Sequence, residues 1–147
     1  TGPPMKSVAF ERRVPFTPEQ MFDLVADLDA YPRFVPNCAD MSLTDMPGGD
    51  RLARMTVSFG PVQLAYTSRV RPDRAAGSIA AHAADGPFSA LDSEWRFEPD
   101  GTGSRVRFAV AYEFANPLVA VVAEPAFAGK QEEIVEAFLA EAARRYG

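Results

Sequence analysis

His82 is the only histidine of the chain and Cys38 its only cysteine, so the inventory of bases and nucleophiles is short. A zinc site wants three or four His, Cys, Asp or Glu ligands. No second histidine, cysteine cluster or carboxylate pair at ligand spacing accompanies His82. A serine triad would need a setting such as G-x-S-x-G, and none is present. The glycine pairs in "PGGD" (47–50) and "DGTG" (100–103) do not open a helix, so they read as turns and not as phosphate cradles. What remains for acid–base chemistry is His82, in "SIAAHAAD" (78–85), with Asp92 or Glu94. Such a pair inside a cavity would support an aromatase/cyclase-type enzyme, but alternation sends His82 to the side opposite Ile79. Cys38 reads as a small buried hydrophobe rather than a reactive thiol. The other polar groups of interest are hydroxyls on apolar rows: Tyr66, Ser68, Ser93 and Tyr112. In a solid core they need partners; in a cavity they would orient an apolar ligand with one oxygen-bearing end.

The elements that carry these residues follow from periodicity. "KSVAFERRV" (6–14) reads as a strand ended by Pro15. "TPEQMFDLVADL" opens a helix, with Thr17 at N-cap, Pro18 at N1 and Gln20 completing a capping box. A short helical turn through Ala30–Phe34 precedes Pro36. From there to residue 115 the period is two, with turn signals about every 8–12 residues, which predicts an antiparallel meander. Rows of one face follow: Met55, Val57 and Phe59; Leu64, Tyr66, Ser68 and Val70; Leu91, Ser93, Trp95 and Phe97; Val106, Phe108, Val110, Tyr112 and Phe114. Arg105, Arg107 and Glu113 take the wet face. The end returns to period 3.6, with Ile134, Val135, Phe138, Leu139, Ala142 and Tyr146 in one stripe. Pro125 and Gly129 predict a break or kink in that helix. A sheet apolar on one face must be covered, and the C-terminal helix is the only element long enough to do it.

Composition narrows the function classes. The 147 residues suit one domain, residues 5–147, able to bury roughly 70% of its unfolded surface. It needs no disulfide or metal staple. The formal net charge of −5 argues against a dedicated nucleic-acid binder, DNA above all. The arginines at 69, 71 and 74, and at 12 and 13, read as solvated and paired with nearby acids. "PLVAVVAEPAFAG" is interrupted by Glu124 and Pro125 and is too short to span a bilayer. No signal peptide is visible, which predicts a cytoplasmic setting with peripheral contact at the inner membrane face. "TGPP" before Met5 reads as an expression scar or disordered start.

"AYPRFVPNC" (30–38) resembles the Y-P-x-F-[LV]-P-x-C signature of the coenzyme Q-binding family of START-related, polyketide cyclase/dehydrase-like (SRPBCC) proteins. "DGPFSALDSEWRF" (85–97), "YEFANPLV" (112–119) and "EAFLAEAARRYG" (136–147) resemble further family segments in the same order. "VPFTPEQMFDLVADLDAYP" (14–32) matches the helix-one region. The chain departs at Pro125–Ala126, where relatives continue their helix, which bears on the cavity mouth. It departs again at Glu141, where the family often has a basic residue, which bears on a surface charge.

The resemblance implies an α+β helix-grip (START/Bet v-like) fold: a seven-stranded antiparallel sheet around a long C-terminal helix, with two short helices after strand one. It implies a cavity whose walls take Tyr31, Phe34 and Val35 near the mouth, and Phe59, Leu64, Tyr66 and Ser68 on the far strands. Phe88, Leu91, Ser93, Trp95, Phe108, Val110, Tyr112 and Phe114 would form the floor, and Leu118, Phe127, Ile134 and Phe138 the helix side. The implied ligand is a polyisoprenoid, ubiquinone-type quinone or another hydrophobic small molecule, held by a carrier or chaperone that supports respiratory electron transport. No catalytic residue, required cofactor or metal is implied. A branch of the same family is a toxin that blocks association of ribosomal subunits, so the ribosome is the alternative partner, and an aromatase/cyclase-type enzyme is a third reading.

Overall fold

The computed structural model describes residues 5–59 and 61–147, the side chains of Phe59 and Val62 aside. Residues 1–4, which hold the "TGPP" start, lie outside that range. Strand β1 (Lys6–Val14) leads into helix α1 (Pro18–Ala26). A 3-10 turn (Leu28–Ala30) and the four-residue helix α2 (Tyr31–Phe34) follow. The meander runs through β2 (Cys38–Asp45), β3 (Arg51–Phe59), β4 (Val62–Asp73), β5 (Ser78–Ala83), β6 (Phe88–Asp100) and β7 (Gly103–Phe114). Helix α3 (Pro117–Tyr146) ends the chain. The seven strands form one antiparallel sheet in the order β1-β7-β6-β5-β4-β3-β2. Each meander strand pairs with its sequence neighbour, and β1 closes beside β7 with Phe10 opposite Phe108.

The local reasons are those read in the sequence. The Thr17 hydroxyl accepts from Gln20 N at 3.1 Å, and Gln20 Oε1 accepts from Thr17 N at 2.9 Å. Two of the first turn's unpaired donors are thereby satisfied. Met21, Phe22, Leu24 and Val25 then bury one face of α1, each such side chain contributing roughly 1.5–3 kcal/mol of transfer free energy. The loop after α2 is tied by Asn37, the one non-glycine residue with positive φ (66°) among those described. Its Nδ2 donates to the Ser58 carbonyl at 2.7 Å, and its own carbonyl accepts from Ser58 N at 2.8 Å. Asparagine tolerates this left-handed conformation better than most residues. At the β5–β6 turn, Gly86 has φ 61°, and a Cβ there would stand 2.2 Å from the Ala65 carbonyl oxygen. Only glycine fits that approach.

Two expectations are corrected. Helix α3 is continuous from Pro117 to Tyr146, with Pro125 inside it and no break at Gly129. Pro125 deprives the Val121 carbonyl of its donor. That turn faces outward, with Val121 77% and Val122 80% exposed, so the loss falls where water can replace the bond. Glu141 is not a surface charge: it is 8% exposed. Arg144 donates to it at 2.8 and 2.6 Å and Arg145 at 2.8 Å, while Arg145 also bonds Asp27 at 3.1 Å. These bonds hold the Glu141 carboxyl down to about 2. The cluster ties the end of α3 to the end of α1.

Candidate functional site

The sheet's inner rows are the rows that alternation named. Val106, Phe108, Val110 and Tyr112 are buried, as are Leu91, Trp95 and Phe97. Their neighbours Arg105, Arg107 and Glu98 meet on the outer face, where Arg107 reaches Glu11 at 3.0 Å and Glu98 at 3.7 Å. Helix α3 lies across the inner face on two aromatic supports. Phe127 stands against Tyr112 at 4.6 Å, Phe88 at 5.3 Å and Phe114 at 5.9 Å between ring centroids. Phe138 stands against Trp95 at 4.9 Å, Phe34 at 5.0 Å and Tyr31 at 5.2 Å. At about 1.5 Å per residue the two supports are roughly 16 Å apart along the helix.

Between the supports the floor is made of small side chains in one register. Val70 pairs with Ala81, Ala81 with Ser93, and Ser93 with Val110. Bulky rings hold the helix off the sheet at both ends and short side chains face it in the middle, so packing leaves a void. That void is a cavity of about 440 Å³, within the range of small-molecule sites. Ala53, Met55 and Val57 of β3 close one side, Val25 of α1 and Leu28 of the 3-10 turn another, and Phe127, Gln131, Ile134 and Phe138 of α3 the roof.

Most of the expected wall residues line this cavity: Tyr31, Val35, Leu64, Tyr66, Ser68, Phe88, Leu91, Ser93, Trp95, Phe108, Val110, Phe114, Phe127, Ile134 and Phe138. Three do not stand so, and the side chain of a fourth, Phe59, lies outside the described residues. Phe34 turns to α3, wedged against Tyr31 and Phe138 with the Arg145 guanidinium 6.0 Å from its ring. Tyr112 is 3% exposed and lies under Phe127, because α3 crosses the β1–β7 side of the sheet and covers it. Leu118, in the first turn of α3, is 78% exposed.

The wall is almost wholly apolar. Among the described residues it carries one amine, Lys130, and two tyrosines, with no carboxylate or imidazole. Tyr31 Oη donates to the Val25 carbonyl, and burial raises its phenol well above the ordinary value. Burial likewise raises Tyr66, whose hydroxyl stands 4.0 Å from Met55 Sδ. Gln131 was not expected here. It is 4% exposed and its Nε2 donates to the Phe127 carbonyl at 3.0 Å. One amide proton and the carbonyl oxygen are left over by that bond. Its signal was readable: Phe127, Gln131, Ile134 and Phe138 form one helical stripe with a single polar member. Lys130, Asn37, Val122, Ala123 and Ala126 at the rim were also missed, because only the path of α3 brings them together.

The acid–base pair of the third reading stands away from the cavity, as the parity of His82 with Ile79 predicts. His82 and Asp92 hydrogen-bond to each other on the outer face of the sheet, their side chains 59% and 49% exposed. Glu94 pairs with Arg96 at 2.7 Å on the same face. None of the three lines the cavity. Cys38 is 7% exposed, and burial pushes its thiol up to about 11, which makes it a packing residue. The arginines read as paired are so: Arg69 and Arg71 share Asp50 at 2.8 and 3.0 Å, and Arg74 meets Asp23 at 2.8 Å. Arg12 meets Glu132 and Glu136, and Arg13 meets Asp100. Among the described residues no group of three or more His, Cys, Asp or Glu side chains could hold a metal ion.

Known proteins agree with this architecture. The chain is 30% identical over 144 residues to the ribosome association toxin RatA of Vibrio cholerae, covering 97% of this chain and 99% of that protein. It is 33% identical over 137 residues to the mitochondrial coenzyme Q-binding protein COQ10 homolog B of Xenopus laevis, covering 90% of this chain and 56% of that protein. The solution structure of the 18 kDa protein CC1736 from Caulobacter crescentus superposes with a TM-score of 0.78 at 31% identity, over 97% of this chain and 99% of that one. The family model for polyketide cyclase / dehydrase and lipid transport matches residues 14–139. The chain belongs to that polyketide cyclase / dehydrase and lipid transport family.

Proposed function

We propose that the chain binds the ring end of a polyisoprenoid quinone in the cavity under α3, as a carrier or chaperone for respiratory electron transfer. The observation that carries this reading is the cavity itself: about 440 Å³, apolar walls and a few oxygen- or amide-bearing side chains. That chemistry suits a ligand that is mostly hydrocarbon with carbonyl oxygens at one end. The identity to a protein named for coenzyme Q binding supports the same ligand class. The spare Gln131 amide proton and the Ser93 and Ser68 hydroxyls are the donors for those carbonyls. A cavity of this size takes the ring and a few isoprene units, and a long tail projects. Each buried CH₂ gains about 0.8 kcal/mol in membrane or protein alike, so the chain exchanges such a ligand at a membrane rather than drawing it into water. The wall offers no acid–base pair, which favours binding over cyclisation.

The test uses Trp95, the only tryptophan and part of the wall. A short-tailed quinone is expected to quench its fluorescence saturably. Ser93→Phe fills the void at a stability cost of about 1–3 kcal/mol and abolishes the quenching. A chain that takes up no quinone, and from which none co-purifies in native mass spectrometry, overturns the reading.

A second reading has its own support, the 30% identity to RatA over nearly the whole of that protein. In it the chain binds the large ribosomal subunit and blocks subunit joining. Against it stand the net charge of −5 and arginines already paired with acids, which weaken attraction to RNA phosphates. Sucrose-gradient profiles after overexpression discriminate: loss of joined ribosomes favours the toxin reading.

A further inference from the structure

Four of the five large hydrophobic side chains exposed among the described residues lie in one stretch of α3. Leu118 is 78% exposed, Val119 36%, Val121 77% and Val122 80%. Leu118, Val121 and Val122 stand at i, i+3 and i+4 and share a face. Pro125 and Ala126 continue the exposed apolar surface. Glu124 is the only charged residue between Ala115 and Gly129, and its carboxylate is neutralised by Lys6 Nζ at 2.6 Å. The patch runs directly into the cavity rim, where Val122, Ala123 and Ala126 form part of the wall.

We infer that this first half of α3 docks on a lipid bilayer, with the cavity mouth facing the hydrocarbon. Three observations favour a bilayer over a protein. Four aliphatic side chains fall far short of the roughly 800 Å² per partner that a stable protein interface buries. The patch holds no Trp, Tyr or Arg, the anchors on which protein interfaces depend. Its continuity with the rim means that a protein seated there would cap the cavity, whereas a bilayer offers the same apolar medium as the cavity wall. No helix among the described residues is long and apolar enough to cross a membrane, so the contact is a shallow insertion of one helix face. The net charge of −5 and the internal Lys6–Glu124 pair leave apolar burial as the driving force. Binding therefore needs no anionic lipid and survives salt. The inference rests on the carrier reading for its purpose, not for its geometry.

The test is flotation with phosphatidylcholine vesicles that contain no quinone. The wild-type chain is expected to float equally in dilute buffer and in about 0.5 M salt, where charges are screened within a few ångströms. A Leu118→Ser, Val119→Ser, Val121→Ser variant, which leaves every residue of the cavity wall in place, is expected to float at least about tenfold less, with unchanged thermal unfolding. It is expected to keep quenching of Trp95 by a short-tailed quinone in vesicle-free buffer. An environment-sensitive dye on Leu118→Cys is expected to shift on adding vesicles, and the same dye on Ala140→Cys not to. A wild-type chain that stays with the dense phase overturns docking, whatever it does with quinone. So does flotation that needs anionic lipid and vanishes with salt. Self-association lost in the triple variant, with vesicle binding absent, overturns it in favour of a second copy. A chain that floats but never takes up quinone leaves docking intact and overturns the carrier reading instead.

Discussion

The two halves of α3 solve opposite problems on one continuous helix. From Gln131 onward the inner face is closed: Val135 is 1%, Phe138 2% and Ala142 0% exposed. The outer face carries Glu132, Glu133, Glu136 and Arg144, as a helix packed on a core should. From Pro117 to Gly129 the exposed face is apolar, and the helix interior contains a proline. The second half anchors and shares the cavity roof with Phe127; the first half spreads an uncovered apolar surface beside the rim. The contrast shows how a stability element and an access element can share one helix: local openings draw on the half with fewer buried contacts.

This contrast can be broken by mutation. Phe138→Ala removes the inner support and is expected to cost about 3–5 kcal/mol by denaturant unfolding. A loss below about 1 kcal/mol would mean that the second half is not the anchor. Pro125→Ala restores a backbone donor inside the helix and is expected to stabilise by up to about 3 kcal/mol; no gain would show that the first half does not depend on helical bonding. Phe127→Ala, at a half-buried position, is expected to cost about 2 kcal/mol, less than Phe138→Ala. An equal or larger loss would erase the difference between the halves.

The smallest effect is a pH dependence confined to the anchoring half. Arg144 and Arg145 hold the Glu141 carboxyl down to about 2, from an ordinary value of 4.5. A depressed carboxyl contributes stability that is present above its ordinary value and is lost as pH falls toward the depressed one. Stability in acid titration is therefore expected to drop from about pH 4.5 to about pH 2, and Glu141→Gln to flatten that part of the curve. An unchanged curve in the variant would remove Glu141 as the acid-sensitive tie between α3 and α1.

Periodicity and turn chemistry made the strands, the capping box of α1 and the inner rows legible, because alternation at period two and a Thr–Gln pair three residues apart are local facts. The outward turn of His82 was legible for the same reason, from its parity with Ile79. Pro125 misled because proline's cost is local while its tolerance depends on whether that turn of the helix is packed, and here the turn is exposed at Val121 and Val122. Glu141 misled because nothing in its neighbourhood in sequence announces Asp27 at the other end of an arginine.

The amino-acid sequence by itself determined which side chains are available to a cavity: apolar rows, a few hydroxyls, and rings at Phe127 and Phe138. Tertiary structure decided that a cavity exists. Val70, Ala81, Ser93 and Val110 come from four strands, and only strand register lines their short side chains up beneath a helix held off the sheet by rings. Fold also decided that Tyr112 is covered, that Phe34 turns to α3 and that Leu118 is exposed. The path of a helix across a sheet is set by the sum of many contacts distant in sequence, and no short stretch of residues contains it.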